Sequence, residues 1–265
     1  MKIAMRVDAS FQIGSGHLMR CLTLADALKE RNVTTRFVCR HIPDGLKAMI
    51  EQKGLQLIHM ESGAASEANH DLPHSDWLGT SQAHDANDTL RALSGQLWDW
   101  IVVDHYALDA YWESAMRRSA KHIMVIDDIA DRRHDCDVLL DQNLYAGMEL
   151  RYAGKVPPHC QLLLGPRYAL LRDEFQQLRL RVKPKKGPVE RVLVFFGGVD
   201  ATNYTATAID VLANLETPSL HVDVVIGSQH PNRAEIEAAC SASGYGYHIQ
   251  TEKMPELMAN ADMAI

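Results

Sequence analysis

The sequence predicts an α/β protein made of two Rossmann-like domains, each with a parallel sheet, the second of them incomplete at its C-terminal end. Short apolar segments alternate with longer segments of helical periodicity, which is the pattern of βα units. A strand, a glycine loop and a helix follow one another near residue 14 and again near residue 197. Between these two runs, residues 183–188 combine charge with prolines and a glycine. We therefore expect a domain at 1–182, a linker at 183–188 and a partial domain at 189–265.

The first run begins with a buried strand and an amphipathic helix. The apolar run from Ile3 to Val7 is typical of a strand covered on both faces, and Leu18, Cys21 and Leu22 recur at helical spacing. The same reasoning assigns the other elements of this run. Strands are predicted at 2–7, 34–40, 55–60, 100–105, 122–126, 138–140 and 161–164, and helices at 17–31, 43–53, 81–94 and 109–120. Residues 61–76, which are rich in serine, alanine, asparagine and histidine, are predicted to form a polar excursion.

The second run repeats the alternation over a shorter length. Residues 169–182 are charged and have a helical pattern, and the linker follows them. Strands are predicted at 192–196 and 221–226, helices at 203–215 and 231–242, and the start of another strand at 262–265.

A histidine follows the first pair of glycines at the start of a predicted helix. Gly14 and Gly16 let a ligand approach the backbone, and the unpaired N–H groups of a helix N-terminus favour a phosphate or an oxyanion. His17 would face that ligand as a titratable group. A plain βα turn with a capping or solvated histidine, and a dinucleotide fingerprint, are the alternatives. The dinucleotide fingerprint lacks its third glycine, because Met19 stands at that position. The second strand also ends without an acidic residue for the ribose of NAD, whereas Arg40 there could bind the 2′-phosphate of NADP.

The second glycine loop has the same layout. Gly197 and Gly198 follow a predicted strand, and Asp200 and Asn203 precede a predicted helix. This arrangement suits the diphosphate of a ligand. The alternative is a plain βα turn in which Asp200, or Thr202 with Asn203, only caps the helix.

Polar residues also end an apolar strand in the first run. Asp104, His105 and Tyr106 follow the segment Ile101 to Val103, so their polar groups are expected at the carboxyl edge of the sheet. A catalytic crevice belongs at that edge in a parallel α/β sheet. In the alternative interpretation Asp104 caps the next helix, and the two rings pack beneath a loop.

Two clusters of potential metal ligands occur in the sequence, but neither of them predicts a metal site. Paired carboxylates at Asp127 and Asp128 suit magnesium, although the three charged residues at 131–133 favour a solvated turn instead. His134, Cys136 and Asp137 lack a fourth ligand for zinc. We therefore expect no metal.

Composition restricts the classes of partner. The chain has 265 residues, 46% of them hydrophobic, and a formal net charge of −7, which argues against nucleic acid as a partner. The N-terminus lacks a long apolar signal segment, and no run of about 18 apolar residues could span a bilayer. We therefore expect a cytoplasmic protein without a membrane partner. The five cysteines are scattered, so reduced core thiols are favoured over disulfides or zinc ligands.

Seven segments, in this order along the chain, resemble the UDP-2,4-diacetamido-2,4,6-trideoxy-β-L-altropyranose hydrolases of pseudaminic acid biosynthesis. The segments are 6–21 with its Gly14-Ser-Gly16-His17, Trp77-Leu-Gly79, Asp104-His105-Tyr106, Asp127-Asp128, 136–143, 165–175, and Phe196-Gly197-Gly198-Val-Asp200. The resemblance extends over nearly the whole chain, and an ordered series of this kind is more specific than any single glycine pair.

The resemblance implies a fold, a reaction and roles for particular residues. The fold would be of the GT-B type, with the sugar nucleotide bound in the cleft between two domains. The reaction would be hydrolysis at the anomeric carbon, which releases UDP and free 2,4-diacetamido-2,4,6-trideoxy-L-altrose without a metal or a cofactor. The resemblance makes His17 the general base. It also makes Tyr106 a residue of the substrate pocket and the loop at Gly197 and Gly198 a diphosphate contact.

The chain departs from this pattern at its end. In GT-B proteins of this kind a further turn and a glutamate-bearing helix hold the uridine and the diphosphate, and these would follow the strand that begins at Asp262. Because the sequence stops at Ile265, we expect an incomplete nucleotide site and weak UDP binding. A GT-B glycosyltransferase and a non-catalytic nucleotide-sugar binding protein stay open as alternatives, and the sequence does not determine the oligomeric state.

Overall fold

The computed structural model describes residues 1–60, 72–215, 217, 219–228 and 230–265. These residues form two compact units, Met1–Leu170 and Leu171–Ile265, and each unit contains one parallel sheet. The predicted fold class, an α/β protein with two parallel sheets, is confirmed. Most of the predicted polar excursion, residues 61–71, lies outside the described residues.

The described part of the first unit has a seven-stranded sheet in the order β3-β2-β1-β4-β5-β6-β7. Its strands are β1 Lys2–Val7, β2 Thr34–Cys39, β3 Gln56–His59, β4 Trp98–Asp104, β5 Ala120–Ile126, β6 Val138–Asp141 and β7 Gln161–Leu164. Its α-helices are α1 Gly16–Lys29, α2 Asp44–Gln52, α3 Gln82–Ala92 and α4 Ala110–Met116, and its 3₁₀ helices are Ser75–Leu78, Met148–Leu150 and Pro166–Tyr168. Every paired strand in this sheet is parallel to its neighbours.

Helices cover both faces of this sheet, which explains why both faces of its central strands carry buried apolar residues. Successive strand residues point to opposite faces. Met5 and Phe37 therefore pack with Leu18 of α1 on one face. On the other face, Val103 packs in a separate core cluster with Trp112 of α4.

The second unit is smaller, and its four-stranded sheet has the order β10-β9-β8-β11. Its strands are β8 Arg191–Val194, β9 His221–Ile226, β10 Gly246–Ile249 and β11 Met263–Ala264, and its helices are α5 Asp173–Arg179, α6 Tyr204–Ala213, α7 Arg233–Ser243 and α8 Met254–Asn260. Val194 and Val224 of the sheet pack against Ile209 of α6 and Ile236 of α7. Among the described residues of both units, no helix is long and apolar enough to cross a membrane.

The elements agree with the sequence prediction in order. In the first unit α4 ends at Met116, short of the predicted residue 120, β5 begins at Ala120, two residues before its predicted start, and the three 3₁₀ helices were not predicted. Larger differences lie in the second unit. Strand β10 and helix α8 were not predicted, because β10 has only four residues and α8 begins at a proline-containing turn. The helical segment predicted at 169–182 is helical only over Asp173–Arg179. The compact units divide at residue 170, which places α5 in the second unit. The linker at 183–188 and the domain limits built on it stay predictions.

The five cysteines are free thiols, and four of them are buried. Cys160 is half-buried, and its Sγ lies 3.5 Å from the Sγ of Cys136. These positions suit the predicted reduced core thiols.

Candidate active site at the end of the first strand

The candidate site lies where the strand order of the first sheet reverses. Strands β1 and β4 are neighbours, although β2 and β3 come between them in sequence, and Val7 of β1 pairs with Asp104 of β4. Chains leave these two strands toward opposite faces of the sheet, which opens a crevice at their carboxyl ends. Helix α1 begins there, and His17 is its second residue.

His17 forms a buried pair with Asp104. Its Nδ1 lies 2.6 Å from Oδ1 of Asp104, and its side chain is 10% exposed while that of Asp104 is fully buried. An ionised carboxylate only accepts hydrogen bonds, so Nδ1 carries the proton and donates it. In the neutral imidazole Nε2 then keeps its lone pair, which is the arrangement that a general base requires.

Arg20 holds the same carboxylate from the next turn of α1. Its Nε donates to Oδ2 of Asp104 at 2.5 Å, and its Nη2 donates to Oδ1 at 2.6 Å. Its Nη1 donates to Oδ2 of Asp128 at 2.9 Å. Tyr106 Oη donates to the other oxygen of Asp128. One guanidinium therefore links both carboxylates of the site.

These contacts set the charge of the groups around His17. Burial raises the pKa of Asp104, but the nearby His17 and the hydrogen bonds from Arg20 outweigh it and bring that pKa to about 2. Burial and the hydrogen bond to Asp128 raise the pKa of Tyr106 above its usual value. Asp104 is therefore a carboxylate, and Tyr106 a neutral phenol, over the whole physiological range.

Two aromatic rings flank the imidazole of His17, and a third ring packs against both of them. The ring of Tyr106 meets that of His17 edge-on, with centroids 4.6 Å apart, and the ring of Trp77 lies 6.3 Å from it. Trp77 and His74 also contact each other and Tyr106. Because these three rings are only half-buried, they provide an apolar surface beside the imidazole.

The glycine loop leaves the start of α1 open. Gly14 has φ +78°, a value that favours glycine. A Cβ added at Gly16 would meet no atom within 4 Å. In the part of the chain that the structure describes, the amides of Gly16, His17 and Leu18 donate no hydrogen bond, and the N-cap residue Ser15 supplies no side-chain acceptor. These amides are available to an anion.

The second glycine loop differs, because Asp200 occupies the start of its helix. The Asp200 carboxylate accepts from the amides of Tyr204 at 3.1 Å and Thr205 at 2.7 Å, and from the Thr205 hydroxyl at 2.7 Å. Asn203 is the N-cap residue, in a left-handed conformation. The structure thus makes Asp200 a helix cap, one of the two interpretations that the sequence left open.

The glycines of this loop contact the next strand-to-helix turn. Gly198 O accepts from the amide of Gly227 at 3.1 Å, and a Cβ at Gly227 would lie only 2.2 Å from that oxygen. Gly197 has φ +87°. His230 follows, and its buried Nε2 lies 3.7 Å from Oδ2 of Asp200.

Asp127 belongs to a separate buried network and not to a solvated turn. It accepts from Arg132 Nη1 at 2.8 Å, and both side chains are almost fully buried. His134 lies beside them and contacts Glu113 Oε1 at 2.8 Å. Burial lowers the pKa of His134, but the carboxylate of Asp127, 3.9 Å from its Nε2, and the hydrogen bond with Glu113 outweigh this and raise it to about 9. Among the described residues, no group of three or more His, Cys, Asp or Glu side chains is placed to bind a metal.

Arg40, the residue for which the sequence suggested a contact with the 2′-phosphate of NADP, forms ion pairs inside the protein. Its side chain is 1% exposed and donates to Asp85 at 3.0 Å and to Asp88 at 2.6 Å. Asp85 also pairs with Arg6 at 2.8 Å. This ion network stabilises the packing of α3 against the sheet and does not present Arg40 to a 2′-phosphate.

Comparison with known proteins gives two relatives by sequence. No protein-family model matches the chain. The UDP-2,4-diacetamido-2,4,6-trideoxy-β-L-altropyranose hydrolase of Campylobacter jejuni is 25% identical over 238 residues, which are 89% of this chain and 73% of that protein. The uncharacterized protein MJ1062 of Methanocaldococcus jannaschii is 23% identical over 274 residues, and the match covers 100% of this chain but 51% of MJ1062. The chain therefore spans about half the length of that second relative.

The chain is a distant relative of the Campylobacter hydrolase. Solved structures agree on the fold. MurG of Acinetobacter baumannii matches with a TM-score of 0.53 at 11% identity over 99% of this chain and 71% of that one. A glycosyltransferase of Rickettsia africae matches with a TM-score of 0.53 at 12% identity, over 99% of this chain and 72% of that one. TcCGT1 in complex with UDP matches with a TM-score of 0.53 at 12% identity, over 94% of this chain and 73% of that one. These likenesses establish a GT-B fold.

The structure brings together some of the predicted site residues and adds others. Gly14, Gly16, His17 and Tyr106 lie at one sheet edge in the first unit, while Gly197, Gly198, Asp200 and Asn203 lie in the second unit. The sequence alone does not assign a firm role to Asp104 and assigns none to Arg20. The spacing of His17 and Arg20, three residues apart on one helix face, was a signal for a shared partner.

Proposed function

We propose that the chain acts on a nucleotide sugar and hydrolyses UDP-2,4-diacetamido-2,4,6-trideoxy-β-L-altropyranose to UDP and the free sugar. The observation that carries this proposal is the His17–Asp104 pair, which leaves Nε2 of the neutral imidazole available at the carboxyl edge of the sheet, where parallel α/β sheets bind their ligands. The sequence similarity to the Campylobacter hydrolase supports the choice of reaction.

In this mechanism His17 takes a proton from water while that water attacks the anomeric carbon. The bond between that carbon and the diphosphate oxygen breaks, and its electron pair leaves with UDP. Asp104 keeps the proton on Nδ1 and stabilises the imidazolium that forms, as the carboxylate of a His–Asp pair does in other enzymes. UDP is a good leaving group, so donors to its developing charge suffice in place of an acid.

The open amides of α1 are the donors that this mechanism uses in the first unit. In the second unit we propose that the diphosphate contacts the backbone of Gly197 and Gly198. Asp200 and Asn203 would support that contact by holding the loop and the start of α6 in place. Tyr106 and Trp77 would line the sugar, because their rings flank His17.

The proposal is tested by incubating the protein with a panel of UDP-2,4-diacetamido sugars and with UDP-N-acetylglucosamine as a mismatched control. UDP release is measured together with free reducing sugar, and the sugar product is identified by NMR. Hydrolysis without any added acceptor supports the proposal. UDP release that requires an acceptor alcohol identifies a glycosyltransferase, in which the same base would deprotonate a sugar hydroxyl. Binding of UDP-sugar without turnover identifies a binding protein.

A further inference from the structure

Arg20 is the most constrained polar side chain near His17, and the proposed chemistry does not use it directly. It lies one turn after His17 on α1, with its side chain 10% exposed. Its Nε and Nη2 each donate to a different oxygen of the Asp104 carboxylate, at 2.5 and 2.6 Å, which is the geometry of a bidentate pair. Arg20 Nη2 and His17 Nδ1 share one oxygen of that carboxylate.

A buried carboxylate beside an imidazole creates an electrostatic problem for a general base. The negative charge of Asp104 favours the imidazolium, because an opposite charge within hydrogen-bonding distance stabilises the charged form. A protonated His17 has no lone pair on Nε2 and accepts no proton from water. The base therefore needs the orientation that Asp104 supplies without the full effect of its charge.

Within the part of the chain that the structure describes, Asp104 from β4 and Arg20 from α1 contact the imidazole of His17, and the rings of Tyr106 and Trp77 flank it. The groups behind these are Cys21, which contacts Asp104, His74, which packs on Trp77 and Tyr106, Asp128, which Arg20 binds, and Arg132, whose guanidinium lies 5.7 Å from the ring of Tyr106. Among these groups Arg20 is the permanent cation that lies beside the imidazole and binds Asp104.

We propose that Arg20 is a positioning residue that keeps His17 in its neutral form by neutralising Asp104, while its fork fixes the carboxylate for Nδ1. Its third donor holds Asp128, which in turn holds the hydroxyl of Tyr106 beside the imidazole. This inference rests on the proposed function only in its kinetic consequence, because the protonation of His17 is measurable without substrate.

The test compares Arg20→Gln, which keeps a hydrogen-bond donor but loses the charge, with Arg20→Lys, which keeps the charge but loses the fork. The C2–H resonance of His17 in ¹³C-histidine-labelled protein is followed from pH 4 to 10 and is assigned by its loss in His17→Gln. In Arg20→Gln we expect the His17 titration to move upward by about one to three pH units. In Arg20→Lys we expect it to stay near the wild-type position.

The pH dependence of kcat/KM should change with the charge at position 20 in the same way as the NMR titration. The acid limb of the kcat/KM profile should move upward with the NMR titration in Arg20→Gln, so activity at neutral pH falls and recovers at higher pH. In Arg20→Lys the limb should stay while kcat falls, because the orientation of Asp104 is less well held. Arg117→Gln is the matched control: Arg117 also binds two carboxylates, Asp135 and Asp137, but on the surface beyond α4. It should move neither readout.

A second pair of variants removes the risk that an unpaired buried carboxylate unfolds Arg20→Gln. In Asp104→Asn the cation of Arg20 remains alone beside His17, and the double variant Arg20→Gln/Asp104→Asn removes it. The His17 titration should rise from the single to the double variant. An unchanged titration in folded Arg20→Gln, or between these two variants, would overturn the inference. A shifted titration in a protein without hydrolase activity would support the role of Arg20 and reject the proposed function.

Discussion

The two glycine loops that open the helices α1 and α6 resemble each other in sequence but differ in what occupies the helix start. At α1 the first-turn amides are free among the described residues, and His17 stands beside them. At α6 the carboxylate of Asp200 binds the first-turn amides itself. The protein has thus left one helix N-terminus open and closed the other with its own anion.

The closed loop also has the more strained backbone. Asp200 and Asn203 have positive φ values of 40° and 58°, whereas in the first loop only Gly14 is in that region. A non-glycine residue in this conformation costs free energy, which the three hydrogen bonds to Asp200 offset. The comparison teaches that a glycine pair before a helix does not by itself distinguish a ligand site from a capped turn.

The largest expected effect comes from removing the base at the open loop. His17→Ala should lower kcat by about a hundredfold to ten-thousandfold, the usual contribution of a positioned general base. The fold should persist, because Arg20 still binds both oxygens of the buried Asp104 carboxylate, although loss of the hydrogen bond from Nδ1 should lower the melting temperature. Activity is measured by UDP release and folding by circular dichroism. Wild-type turnover in a folded His17→Ala protein would mean that both loops are structural and that His17 is only part of the turn.

The next effect concerns a buried histidine that lies near a carboxylate in each unit. His134 in the first unit lies 2.8 Å from Glu113, whereas His230 in the second lies 3.7 Å from Asp200. Since the folded pKa of His134 is raised to about 9 from 6.5, its stabilising contribution is complete below pH 6.5 and is lost as the pH rises through 9. This contribution is roughly 3 kcal/mol by linkage.

Urea unfolding at a series of pH values from 6 to 10 measures this loss. The four tryptophans, at 77, 98, 100 and 112, all lie in the first unit, so their fluorescence reports its unfolding. His134→Gln should lower stability at pH 6 and flatten the pH dependence. A wild-type stability that stays level between pH 6.5 and 9.5 would rule out the charged pair of His134 and Glu113.

The sequence predicts the elements of the first sheet and the position of His17. The buried strands and helices of the first sheet follow from apolar runs and helical spacing, since both faces of β1 and β4 are covered. His17 is identified by a local pattern of residues within one βα turn. Local patterns of this kind are what a single sequence displays.

The partners of His17 are not local, and that is why they were missed. Asp104 lies 87 residues from His17 and Asp128 lies 108 residues from Arg20. Only the strand order, which places β4 next to β1, brings them together. Arg132 was expected in solvent for the same reason: Asp127 is five residues away in sequence, but the burial of both depends on Tyr152 and His134 from later segments.

A smaller effect is expected from opening the closed loop. Asp200→Ala should destabilise α6 by about 1–2 kcal/mol, because it removes the cap of the first turn. Asp200→Asn keeps an acceptor oxygen and should retain most of that stability. Hydrogen exchange of the Tyr204 and Thr205 amides measures the change. The KM for the UDP-sugar should rise while kcat changes less than in His17→Ala, since the loosened loop is the proposed diphosphate contact. Unchanged protection of these amides in Asp200→Ala would contradict the capping role.

The smallest expected effect tests whether the space at the open loop belongs to a ligand. A methyl group at Gly16 meets no protein atom within 4 Å, and the backbone there is not in the left-handed region. Gly16→Ala should therefore leave stability unchanged or raise it by up to about 1 kcal/mol, as alanine does in helices.

If a phosphate or the sugar approaches this backbone, the same methyl group should raise KM several-fold with little change in kcat. Gly45→Ala is the matched control, because a Cβ at that glycine also meets no atom within 4 Å and the residue lies at the start of another helix, α2. Equal KM values for Gly16→Ala and Gly45→Ala would show that no ligand approaches the start of α1, and the open amides would then need another explanation.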